Sequence, residues 1–161
     1  MNILDGLHKK IINSLGKEEG DEQEKTHASD LIALGVLLWV VADADDKFLA
    51  KEEEQIKITL KKYNHVSEED MPIVLCAIRE AALTRIDVHM FTREICQSVN
   101  RQERIGIIEN LFRVACADLV LDNAELEMIR KISGLLGMDH AEMIEAKIKV
   151  KKEFGLDTAG F

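Results

Sequence analysis

Residues 42–56 read ADADDKFLAKEEEQI, and residues 115–129 read ACADLVLDNAELEMI. The second stretch echoes the first at a constant offset of 73, which is 118 − 45 for the aspartates and 125 − 52 for the leading glutamates. With no gap, Ala42, Ala44, Asp45, Glu52, Glu54 and Ile56 stand against Ala115, Ala117, Asp118, Glu125, Glu127 and Ile129, and Trp39 stands against Phe112. Each stretch closes an apolar run, crosses an acidic corner and enters a segment of helical periodicity. A unit of helix, corner and helix that recurs at a long period describes architecture before any chemistry.

Outward from the corners the pattern is helical throughout. The run before the first corner, residues 31–42, carries no charge and is apolar on every side, which predicts the most buried helix of the fold. It has twelve residues, against about twenty for a bilayer span. Helices are expected over residues 26–43, 50–63, 67–83, 87–99, 101–117, 124–136 and 140–154. An eighth is expected over residues 1–15, where Ile3, Leu4, Leu7, Ile11, Ile12 and Leu15 share one face. Ser67, Asp87, Asn100, Asp122 and Asp139 are the expected entry caps. Asn64 and Gly137 are the expected terminators. The fold class is therefore all-α: about eight helices, in two similar three-helix units related by a pseudo-two-fold axis, plus an N-terminal and a connecting helix. The chain divides into an N-terminal helix and acidic linker (1–25), a helical domain (26–154) and a frayed tail (155–161).

Composition narrows the function. The chain has 161 residues, 47% hydrophobic and 32% charged, with a single proline. That suits one folded domain and disfavours both disorder and an all-β fold. A net charge of −9 disfavours non-specific nucleic-acid binding, which relies on lysine and arginine against phosphate. Cys76, Cys96 and Cys116 are scattered, with no CxxC pair and no signal peptide, which points to a reducing cytoplasm and buried thiols.

Aspartate at a helix C-terminus opposes the dipole at a cost of about 0.3–1 kcal/mol, so something must compensate Asp45 and Asp118. One explanation is structural: each carboxylate accepts backbone N–H groups of the corner, and Glu52 and Glu125 are first-turn acids. The other is a divalent cation of the calcium or magnesium class held by carboxylate oxygens. Its candidate ligands are Asp43, Asp45, Asp46 and Glu52 or Glu54 in the first corner, and Asp118, Asp122, Glu125 and Glu127 in the second. Asp43 and Asp46 are special to the first copy, which makes that corner the favoured site. A true EF-hand is excluded: an EF register over the first corner meets Lys47 at the fifth position and Phe48 at the sixth, where glycine belongs.

Other chemistries find little support. The one Glu-x-x-His, at Glu24 and His27, lies in the polar linker, which disfavours a di-iron centre. His8, His27, His65, His89 and His140 show no metal-ligand pairing. No phosphate loop or nucleophile motif is present. Lys147, Lys149, Lys151 and Lys152 read as a solvated face.

The twice-used pattern of an apolar helix, an Ala-x-Ala-Asp corner and a Glu-led helix, with Leu136-Gly137-Met138-Asp139 near the end, resembles the TerB family of tellurite-resistance-associated proteins. Its best residues are 42–46 with Glu52, and 115–118 with Glu125, Leu135, Leu136 and Gly137. The resemblance covers residues 31–146. It implies an all-helical cytoplasmic protein of two similar halves, tied to tellurite and chemical stress. Divalent-metal binding and protein partners are implied; catalysis, nucleic-acid binding and membrane insertion are not. Related domains serve as modules in some co-chaperones, so a metal-free interaction scaffold is the alternative. The family usually follows the corner aspartate with glycine; here Asp46 and Leu119 stand there.

Overall fold

The structure, a computed structural model, describes residues 22–83 and 88–158. These residues form seven helices and no strand. They are α1 (Glu22–Ala42), α2 (Ala50–Asn64), α3 (Met71–Leu83), α4 (Val88–Ser98), α5 (Arg101–Ala115), α6 (Asn123–Leu135) and α7 (His140–Glu153). The all-α expectation holds, and the bounds fall within a few residues of those read from the sequence. The helix expected over residues 1–15 and the cap expected at Asp87 lie outside the described residues.

The uncharged run organises the fold. Ile32, Leu37, Leu38, Val41 and Ala42 of α1 have no exposed surface, and α1 packs against every other described helix except α7. Burying an aliphatic side chain of this size contributes about 1.5–3 kcal/mol, so this helix anchors the core. Its second partner in the centre is α5, which buries Ile108, Leu111, Phe112, Val114 and Ala115 and packs on α1, α2, α6 and α7. At Gly35, α1 leaves room for Ile78 of α3: a Cβ there would collide with the Cδ1 and Cγ1 atoms of Ile78.

Helix ends follow their caps. Asn100 and Glu103 form a reciprocal capping box on α5, with bonds of 2.9 Å each way, and Ser67 Oγ accepts the Asp70 N–H ahead of α3. Gly137, at φ +71°, ends α6 through the Met138 N–H bond to the Ser133 carbonyl. On the outside, Arg101 reaches Glu142 with two bonds of 2.6 and 2.7 Å, and Arg113 reaches Glu153, joining α5 to α7.

Several expectations need correction. Helix α1 begins at Glu22, ahead of the entry expected at residue 26; charged residues extend a helix whose apolar half is anchored in the core. His65, not Asn64, takes the left-handed position after α2, at φ +54°. The tail is not frayed from its start: Gly155 turns the chain at φ +68°, and the Leu156 N–H bonds to the Lys151 carbonyl, with Leu156 packed on the core. Of the cysteines only Cys116 is buried; Cys76 is exposed and Cys96 half-buried. Lys147 is buried, not solvated, because it follows Ala146 on the face of α7 that carries Met143 and Val150 inward.

Candidate functional site between the two corners

Each corner is built on the same local device. After α1, Asp45 Oδ1 accepts the Lys47 N–H at 3.0 Å; after α5, Asp118 Oδ1 accepts the Val120 N–H at 3.2 Å. These bonds offset the unfavourable helix-end position of the two aspartates. The next residue is left-handed in both corners, Asp46 at φ +59° and Leu119 at φ +66°. Aspartate tolerates that conformation; leucine adopts it at a cost of about 1–2 kcal/mol. Trp39 stacks on Phe48 with ring centroids 4.2 Å apart, bracing the first corner from outside.

The second corner leads into α6 through a capping box. Asp122 Oδ1 accepts the Ala124 N–H at 2.7 Å, and Glu125 Oε2 accepts the Asp122 N–H at 3.4 Å. In the first corner Leu49 stands where Asp122 stands in the second, and it supplies a backbone hydrogen bond to the Glu52 carboxylate but no side-chain cap.

Glu52 and Glu125 are not solvated first-turn acids. They are 1% and 2% exposed. Burial above all, together with the negative charges of Glu125, Asp45 and Asp118, pushes the Glu52 carboxyl up to about 8. Burial likewise pushes Glu125 up to about 7, the Asp122 N–H partly opposing, with Asp45, Asp118 and Asp122 adding to the rise. An acid from each corner thus acts on the glutamate of the other. Glu52 Oε2 is buried without a hydrogen-bond partner, an expensive arrangement for a carboxylate oxygen. Cys116 lies in the same field; burial above all holds its thiol at about 11, so it stays protonated near neutral pH.

The structure therefore buries Glu52 and Glu125 within electrostatic reach of Asp45 and Asp118, with Asp122 bonded to Glu125. It leaves Asp43 and Asp46 at the exposed rim. Glu54 and Glu127 also face solvent, Glu127 paired with Arg130. The sequence favoured a site within the first corner; the two buried glutamates, and the aspartates whose charges act on them, come from both corners. The reason is packing: α2 lies on α5 and α6 lies on α1, which turns each first-turn glutamate inward. One signal for this was present. Glu52 precedes the buried Ile56 and Leu60 by four and eight positions, and Glu125 precedes the buried Ile129 and Ile132 by four and seven, so both glutamates lie on the apolar face.

Among the described residues, no three His, Cys, Asp or Glu side chains stand grouped as ligands of one ion. The donor set nevertheless suits a hard cation, being all carboxylate with one buried oxygen unused. A separate groove of about 580 Å³ lies between α2 and α3. Trp39, Met71, Pro72 and Leu75 line it, and its rim carries three acids and three bases, so it has no preference for ligand charge.

Fold and site together define an all-helical protein with two acidic interhelical corners, each with a buried glutamate at the start of the helix that follows it. No described helix is long and apolar enough to cross a membrane. A family model described as Tellurite resistance protein TerB matches residues 31–148. The chain belongs to the TerB family. No curated relative and no solved structure matches it.

Proposed function

We propose that this chain acts in the cytoplasm as a non-enzymatic protein of tellurite or chemical stress, holding a divalent cation of the calcium or magnesium class between its corners and working through protein partners. The observation that carries this reading is the buried, unpartnered Oε2 of Glu52 among acids from both corners. Asp45, Glu52, Asp118 and Glu125 would hold the ion, with Asp122 orienting Glu125 through its N–H. A cation would offset the repulsion that now raises both glutamates. The corners read as two copies of one helix–corner–helix unit about a pseudo-two-fold axis; the constant offset, the matching aspartate bonds and the matching left-handed residues support that.

Melting temperature with and without Ca²⁺, Mg²⁺, Mn²⁺ and Zn²⁺ at pH 8.5 tests the proposal. A bound ion at a hundredfold over its Kd stabilises by about 2.7 kcal/mol, or about 5–10 °C for a domain of this size. The expected result is such a rise with at least one ion, abolished in Glu52→Gln. No response to any of them at millimolar concentration would remove the cation from the account. The second reading, a metal-free scaffold or co-chaperone-like module, is favoured by the capping bonds of Asp45, Asp118 and Asp122 and by the absence of a three-ligand group among the described residues. It expects Asp45→Asn to lower stability equally with and without metal.

A further inference from the structure

Leu119 and Val120 stand at the tip of the second corner with 54% and 61% of their surfaces exposed. Leu119 also holds the left-handed conformation, which glycine or asparagine adopts at far less cost. The fold does not need leucine there. The hydrogen bonds of the turn run from the Leu119 N–H to the Cys116 carbonyl and from the Val120 N–H to Asp118 Oδ1, and neither uses the leucine side chain. Leu49, at the entry to α2 in the first corner, is 39% exposed. The corners belong to packed helices, since α2, which follows the first corner, lies on α5, and α6, which follows the second, lies on α1. Leu119 and Val120 are thus adjacent outward apolar side chains on one corner and Leu49 is a third on the other, and residues 43–49 and 116–122 together carry five aspartates and one lysine.

We infer that this corner surface docks a protein segment that presents lysine or arginine beside one or two apolar side chains. Charge selects the occupant. A second copy of the same face would set aspartates against aspartates, and nucleic acid or an anionic lipid surface would be repelled. A cationic segment is drawn in by the aspartates and held by apolar contact with Leu49, Leu119 and Val120. The inference does not rest on the cation site, because apolar contact at the rim requires no metal.

The test is fluorescence anisotropy with a labelled synthetic peptide of alternating leucine and lysine pairs, in the presence of EDTA. Control peptides replace lysine by glutamate or leucine by serine. The wild-type protein is expected to prefer the leucine–lysine peptide over both controls. The double variant Leu119→Asn, Val120→Ser is expected to bind it about tenfold more weakly, with a melting temperature equal to or above that of wild type. Equal binding by wild type and variant, or no preference over the controls, overturns the inference. A concentration-dependent dimer in sedimentation that the same substitutions abolish would overturn it in favour of a second copy.

Discussion

Glu52 and Glu125 show how little a residue's type says about its state. Glu52 stands in the run Lys51-Glu52-Glu53-Glu54, where its neighbours are solvated or half-buried and it alone is buried. The cause is long-range: α2 packs on α1 and on α5, some fifty residues further along the chain. Its field follows from the same packing, and so does a pH dependence. The folded pKa values, about 8 and about 7, lie above the ordinary 4.5. The native state therefore binds protons more tightly than the unfolded chain, and stability must fall as pH rises from about 4.5 through 8. The contribution is fully present below pH 4.5 and gone above pH 8, on the order of a few kcal/mol for the pair. In metal-free buffer, denaturant unfolding should find wild type less stable at pH 8.5 than at pH 6. Glu52→Gln should flatten that difference and be the more stable protein at pH 8.5. A wild-type stability that rises across this range would contradict the burial.

At the scale of the element, the helices were legible because each carries its own instructions. Ser67, Asn100, Asp122 and Gly137 act locally, and the structure uses all four as the sequence suggested. The central place of α1 was also legible, because a run with no polar side has nowhere to go but inside. Gly35 was not. In the sequence it is a helix-weakening residue within an apolar stretch; only the meeting of α1 with α3 shows that Ile78 occupies the place of a side chain. Gly35→Ala gains about 1 kcal/mol of helix propensity and sets it against overpacking of about 1–3 kcal/mol. Thermal unfolding should show a net loss. A gain in melting temperature would mean that Ile78 turns aside freely and that the α1–α3 contact is looser than described.

For the whole molecule, the repeat revealed that two corners exist but not how they meet. Sequence comparison set them in parallel and singled out Asp43 and Asp46, the acids present in one copy only. Packing works the other way: it collects the acids common to both copies and leaves the extra ones at the rim. Two weakly acidic turns thereby each send a glutamate into the interior, where burial above all, with the charges of aspartates from both corners adding, holds Glu52 and Glu125 partly protonated. The same arrangement sets the terms for any ion, which must displace protons from Glu52 and Glu125 and so binds more strongly as pH rises through 7 and 8. The most direct test is an NMR titration of the side-chain carboxyl carbons of these two glutamates in metal-free protein. The account predicts that Glu52 titrates near 8 and Glu125 near 7, and that Asp45→Asn lowers both. Ordinary titration of both near 4.5 would contradict it, because the two corners would then share no buried site.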